Sequence, residues 1–396
     1  MGWIDLKVLI ICPVYFPAWE YGGIVPSMHG IVQEIARAGN RVTVYTTDAQ
    51  GMNERNKNTS ELYGTVEVVR FRNLSNYLAW NRIFIPTQMA KAVRKTIGGF
   101  DIVHLIDVRF SPNVAANRTA SRSKVPYVVT PLDPFKPYLR KALLKRVFDI
   151  AAGKKILTEA DFVIAQNLKE AESYITLGIP HDRIQMIPNG LDTAALLEMP
   201  VKGACRDRLG IPADKKMILY LGRIDHVKGV DLLITAFYRA VRAKELRDSI
   251  LLVAGPDAGY LKTAYDLVKR LDLASKVVFP GPLTGKDKLA AMQDADLFVL
   301  PSRYEEFGIA PLEAYGCGTR VITTTNCGVN HWMKGYFDKI VSPEVDALEE
   351  GMTNVLLNSP KQPFDRGANL DNLTRLFSYD NVAKETLNLY RSALSR

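Results

Sequence analysis

Short apolar runs rich in Val and Ile alternate with helical stretches along most of this chain. That alternation restricts the fold more than any other feature. KVLIICPVY (7–15) is the first such run. Met28, Ile31, Val32, Ile35 and Ala36 follow at intervals that place them on one helical face. Gly39 and Asn40 then give a helix stop. RVTVYTT, VEVVRF, a helical stretch around 87–98, DIVHLI, YVVTPL and DFVIAQN continue the series. Strands separated in this way form parallel sheets with helices on both faces.

The pattern breaks at IPNGLD (187–192), and a polar stretch runs to about Ala213. Alternation then restarts with MILYLGRI, ILLVAGP, VVFPGPL, DLFVLP and RVITTT. The expected fold is α/β, with two doubly wound domains at 1–187 and 188–375 and a cleft between them. The stretch 376–396 reads as a helix packing back on the first domain. Ligands of open α/β sheets bind beyond the carboxyl ends of the strands, so the cleft is the expected site.

Two segments carry chemistry. In PSRYEEFGIAPLE (301–313), a strand end, a turn at Gly308 and a helix start meet at one point. Glu305 and Glu313 flank that turn. A helix N-terminus favours anions, and carboxylates can hold sugar or ribose hydroxyls. Taken alone, the two glutamates are equally readable as surface and capping residues. In YLGRIDHVKG (220–229), Arg223 and Lys228 follow a strand and open a helix, with Gly222 and Gly229 permitting close backbone approach. Two cations so placed suit a diphosphate, whose charge grows as it leaves.

Charge and composition narrow the partners. The net charge of +9 lies almost wholly in the first half of the chain. Residues 136–155 mix Lys and Arg with apolar residues at near-helical spacing, which suits an anionic membrane surface as well as a solvated helix face. No nucleic-acid motif accompanies the charge, so nucleic acid is not an expected partner. No apolar run approaches the roughly 20 residues of a membrane span. The first residues read as a buried strand rather than a leader. Cys12, Cys205, Cys317 and Cys327 show no CxxC pairing and read as reduced, buried thiols. The expected location is cytoplasmic, peripheral on the inner face of the cell membrane.

The chain resembles the retaining glycosyltransferases of family 4, the glycogen synthase-like group with the GT-B architecture, which implies two doubly wound Rossmann-like domains facing across a cleft. The resemblance rests on YGGIVPSMHGIVQEIARAGNRVTVYT, IPNGLD, LYLGRIDHVKGVDLLITAF and LFVLPSRYEEFGIAPLEAYGCGTRVIT, in the family's order. It implies a sugar transferred from a nucleotide sugar (UDP-, GDP- or ADP-linked) to a hydroxyl acceptor, a lipid-linked sugar or a saccharide. No cofactor or metal is implied. Arg223 and Lys228 match the donor-diphosphate cations. Glu305 matches the first glutamate of the E-x7-E motif, near the donor sugar, and Glu313 the second, on the ribose. Phe307, Gly308, Ile309 and Ala310 form the turn offering N–H groups to the donor. Gly22 and Gly23 match the N-terminal glycine loop.

Many relatives carry a histidine where this chain has Leu132 and Asp133. Asp133 and His104 are the acceptor-side candidates here. Relatives also often have proline and glutamate where Asn330 and His331 stand. Asp294-Ala-Asp296 has the spacing of a metal-binding D-x-D, but it joins a helix end to a strand and reads as structural. A nucleotide-sugar 2-epimerase of similar fold and a non-catalytic sugar-nucleotide-binding homologue are the rival readings.

Overall fold

The computed structural model describes residues 5–132, 142–358 and 365–396, and forms two compact bodies. The first takes in Met1–Gly190 and Leu376–Arg396, the second Leu191–Arg375.

The first body holds an eight-stranded sheet. Its strands are β1 (Lys7–Ile11), β2 (Arg41–Thr47), β3 (Ser60–Tyr63), β4 (Val66–Phe71), β5 (Ile102–Ile106), β6 (Tyr127–Thr130), β7 (Phe162–Ala165) and β8 (Ile184–Met186). The spatial order is β3-β4-β2-β1-β5-β6-β7-β8, parallel except for the β3–β4 pair. The central strands are buried along their length apart from Lys7 at the start of β1, as expected of strands covered on both faces. Leu9, Ile11, Val103, Leu105 and Val129 belong to one apolar layer. Val8, Ile10, Ile102, Ile106 and Val128 belong to the layer on the other face. Each buried side chain of this size contributes about 1.5–3 kcal/mol. The strand order reverses between β1 and β5, so that is where the carboxyl edge opens for a ligand.

The helix Tyr379–Leu394 lies against the helix Ile24–Arg37 in this body. Gly30 makes their approach possible, since a Cβ there would stand 2.2 Å from the Tyr379 ring. Ser378 starts the returning helix by accepting a hydrogen bond from the Asn381 N–H.

The second body holds a six-stranded, fully parallel sheet. Its strands are β9 (Lys216–Leu221), β10 (Ser249–Ala254), β11 (Val277–Gly281), β12 (Leu297–Leu300), β13 (Val321–Thr324) and β14 (Lys339–Val341). The order is β11-β10-β9-β12-β13-β14, so its switch point falls between β9 and β12. Among the described residues, no helix is long and apolar enough to cross a membrane.

Candidate functional site

The segments after β9 and β12 emerge side by side at the second switch point, and they carry the two sequence motifs. After β9 the chain makes a single helical turn, His226–Lys228, started by Asp225, whose carboxylate accepts from the Val227 N–H. Gly229 then enters the helix Val230–Arg242 in the left-handed region, at φ +69°. A Cβ at Gly229 would lie 2.1 Å from the Pro301 carbonyl oxygen. Only glycine lets this turn close on the end of β12.

The two segments are joined along their length. The Arg303 N–H donates to the Val227 carbonyl at 2.9 Å. The Arg303 guanidinium donates to the His226 carbonyl and grips both Asp231 oxygens, at 2.8 and 2.7 Å. This brings Lys228 Nζ to 2.5 Å from Glu305 Oε2, both side chains largely out of solvent. Arg223, on the same segment as Lys228, is exposed, with no ion pair among the described residues. Its carbonyl accepts from the buried Tyr220 hydroxyl at 2.7 Å. Burial, reinforced by the charge of Glu305, raises the pKa of that hydroxyl well above its ordinary value.

The glycine turn is held by the segment after β13. The Glu305 N–H donates to the Asn326 carbonyl and the Gly328 N–H to the Glu305 carbonyl, both at 3.0 Å, and the Val329 N–H donates to the Phe307 carbonyl at 2.7 Å. Phe307 is buried, and Gly308, at φ +97°, leads the helix Ile309–Cys317. A Cβ at Gly308 would press on Cys327 Sγ at 2.9 Å and Glu305 Cγ at 3.2 Å. Burial, then the Glu305 charge, pushes the Cys327 thiol pKa up, so it is a packing group and not a thiolate. The first-turn N–H groups, at Ile309 and Ala310, have no partner within the helix. Pro311, in the same turn, has no N–H to leave unpaired. Glu313 follows, and its Oε1 accepts from Lys288 Nζ at 2.6 Å.

Arg223, Lys228, Glu305, Phe307–Ala310 and Glu313 thus all lie in the second body, on neighbouring segments. Lys288 and the Arg303–Asp231 clamp are additions that the sequence did not disclose. Nothing in the local sequence marks Lys288, which stands on the separate helix Gly285–Asp294, 25 positions before its partner.

Gly22 and Gly23 are in the first body. They follow β1 at its switch point, Gly22 at φ +101° and Gly23 as the N-cap of Ile24–Arg37. His104, on β5, is buried. Its Nδ1 lies 2.8 Å from Tyr390 Oη and its Nε2 2.8 Å from Thr130 Oγ1. Both ring nitrogens are therefore spent inside the fold, and burial lowers the ring pKa to about 3. This position ties the returning helix to the sheet and leaves no ring nitrogen for an acceptor. Leu132 sits just past β6 in the left-handed region, at φ +57°, an uncommon conformation for a branched residue. Asp133 lies outside the described residues, as do Lys136, Arg140 and Lys141 of the basic stretch.

Asp294 and Asp296 are structural. The Asp294 carboxylate accepts from the N–H groups of Gly203, Cys205 and Arg206, at 2.6 to 3.2 Å. Asp296 accepts from the Met217 N–H and pairs with Arg206. Among the described residues, no cluster of three or more His, Cys, Asp or Glu is arranged to hold a metal. Asn330 also has a structural task, accepting from Thr323 Oγ1 and donating to the Thr324 carbonyl.

Comparison with known proteins follows the same division. The family model described as "Glycosyltransferase Family 4" matches residues 21–195, and "Glycosyl transferases group 1" matches residues 202–369. An uncharacterized glycosyltransferase of Methanocaldococcus jannaschii is 26% identical, over 95% of this chain and 97% of its own length. A D-inositol 3-phosphate glycosyltransferase of Kineococcus radiotolerans is 27% identical over 62% of this chain and 60% of its own length. The crystal structure of Anabaena Alr3699/HepE in complex with UDP-glucose superposes with a TM-score of 0.74 at 19% identity, covering 98% of this chain and 100% of that one. Two family matches that together take in most of the chain, one on each sheet, place this protein among the family 4 type glycosyltransferases of the GT-B fold.

Proposed function

We propose that this enzyme moves a sugar, with retention of anomeric configuration, from a nucleotide-diphosphate sugar to a hydroxyl on a lipid-linked or glycan acceptor. The reading places it peripherally at the inner face of the cell membrane. The observation that carries the donor side is the Lys228–Glu305 pair beside the Gly308 helix start, with Arg223 exposed on the segment that carries Lys228. Departure of a nucleoside diphosphate builds negative charge on the leaving oxygen. Arg223, Lys228 and the N–H groups at Ile309 and Ala310 can meet that charge without a metal. Because Lys228 and the helix-start N–H groups are held by the fold before the reaction, they need little reorganisation in the transition state.

Glu305 is held by Lys228 where its second oxygen can accept from a donor-sugar hydroxyl. Glu313, steadied by Lys288, is suited to ribose hydroxyls. Retention fits a front-side attack in which the departing phosphate assists removal of the acceptor proton. The residues fit UDP-, GDP- or ADP-sugars equally. UDP-glucose is the ligand of the Anabaena neighbour, which makes it the first donor to try. The D-inositol 3-phosphate named for the Kineococcus relative makes a phosphorylated polyol the main rival acceptor.

The test combines labelled UDP-, GDP- and ADP-sugars with lipid-linked saccharides and sugar phosphates. Label should leave the nucleotide and appear on an acceptor, with the donor's anomeric configuration in the product by NMR. Label that stays on the nucleotide in an isomerised sugar would identify a 2-epimerase. Donor binding with neither transfer nor slow hydrolysis would identify a non-catalytic binder.

A further inference from the structure

We infer that the carboxyl edge of the first sheet carries a two-part apolar rim that seats the first body on an anionic lipid bilayer. This rests on the lipid-linked acceptor proposed above, and names the surface and the partner that such an acceptor requires.

One part is the crossover between β6 and β7, helical over Ala142–Thr158. Since β6 and β7 are parallel, this helix runs back from the carboxyl edge toward the amino edge. Its inner face is anchored near that edge. The Asp149 carboxylate accepts from Arg109 Nε at 2.9 Å and Nη2 at 2.8 Å, and Arg109 stands just past the end of β5. Ile156 and Leu157 complete the buried side. Its outer face presents Leu143, Val147 and Ile150, exposed by 77%, 56% and 76%. At spacings of four and three they form one stripe, a pattern that normally faces a core. Exposed Arg146, Lys154 and Lys155 border it, with Glu159 the acid that Lys155 meets.

The second part lies on the loops after β1, β2 and β4. These strands are parallel to β5 and β6, so their loops emerge on the same edge. Trp19, Met52, Leu74, Tyr77 and Ile85 are all largely exposed there. Hydrogen bonds join the loops into one surface. The Met52 N–H donates to Glu20, Asn76 Nδ2 donates to the Met52 carbonyl at 2.6 Å, and the Leu74 N–H donates to the Ile85 carbonyl at 3.0 Å. Scattered exposed apolar residues are ordinary, but two connected groups along one edge are not.

The chemistry of the rim selects its partner. Trp and Tyr beside aliphatic residues, bordered by cations on long stems, match the membrane–water interface. The excess basic charge of this half of the chain matches anionic headgroups. In the strand order, the first part lies beyond β6 and the second beside β1, β2 and β4. The β1/β5 switch point, with Gly22 and Gly23, falls between them. A hydroxyl carried on a lipid would thus be presented to the ligand-binding edge of this body.

The experiment is co-sedimentation of the full chain with vesicles of pure phosphatidylcholine, or of phosphatidylcholine containing phosphatidylglycerol. Binding should favour the anionic vesicles and weaken with salt. Arg146→Gln with Lys154→Gln should lower anionic binding about five-fold for each cation removed. Leu143→Ser with Ile150→Ser, and separately Leu74→Ser with Tyr77→Ser, should each reduce it about ten-fold or more. Each variant is checked for an unchanged thermal shift with UDP, which separates lost lipid contact from lost folding. Equal binding to both vesicles, or binding untouched by either apolar pair, overturns the inference. So does light scattering that shows the wild-type chain pairing with itself through these residues. Transfer to a soluble acceptor with no vesicle binding would overturn the rim and leave glycosyl transfer standing.

Discussion

Lys228 and Glu305 stand 77 positions apart in the chain and 2.5 Å apart in space. The pair is the most direct link from sequence to chemistry. Removing the ammonium in Lys228→Ala should lower kcat about 10²-fold, the usual scale for one transition-state charge partner. An unchanged kcat in steady-state assays would take Lys228 out of the mechanism. Glu313 binds similarly in ground and transition states if it holds ribose. Glu313→Ala should therefore raise donor KM with little change in kcat. Lys288→Met should reproduce that effect more weakly, and the double variant should be no worse than Glu313→Ala alone. Fully additive losses would show that Lys288 does not act through Glu313. His104 gives a different test. Its folded pKa, lowered to about 3, lies below the ordinary histidine value. The unfolded chain therefore binds the extra proton first. The stabilisation is complete above about pH 6.5 and is lost as pH falls from there toward 3. His104→Asn keeps a donor and an acceptor but cannot titrate. Its unfolding free energy should decline less steeply with acid than that of the wild type, by about 1.4 kcal/mol per pH unit in urea titrations between pH 6 and 4. Identical slopes would refute the assignment.

At the scale of elements, the buried parallel strands were legible because each is a continuous Val/Ile-rich run. The elements that escaped notice are short or lie at an edge. β3 alternates between half-buried and exposed residues on the outermost position of its sheet, and β8 has only three residues. Their formation depends on a neighbour already in place, which local propensity does not record. Residues 74–85 hold the aromatics Tyr77, Trp80 and Phe84 between β4 and the helix Met89–Thr96. They include a short helix, Asn76–Trp80. Trp80 and Phe84 turn toward Tyr21, with ring centroids 5.8 and 5.9 Å away, while Tyr77 alone stays exposed. The packing of the returning helix depends on one missing side chain. Gly30→Ala should force Tyr379 out of its contact and lower the Tm of the first body, at a cost of about 1–3 kcal/mol. An unchanged Tm by calorimetry would show that Tyr379 moves freely.

For the whole molecule, the fold class, the order of the strands along the chain and the placing of the glycine turns follow from the amino-acid sequence alone. Those depend on local periodicity and on glycines whose backbone geometry admits nothing else, as at Gly229 and Gly308. Tertiary structure decided which charges face one another. Lys288 reaches Glu313, Arg303 clamps Asp231, and Asp294 caps a helix some 90 positions away, because strand order sets those neighbours. It also decided the fate of His104, an acceptor-side candidate that the fold buries in the middle of β5. The apolar stripe of Leu143, Val147 and Ile150 was legible as helical spacing, but not as a face turned outward. A helix's apolar face has no direction until the sheet it packs on exists. The Arg109–Asp149 anchor, formed only in the folded body, turns the other side of this one inward.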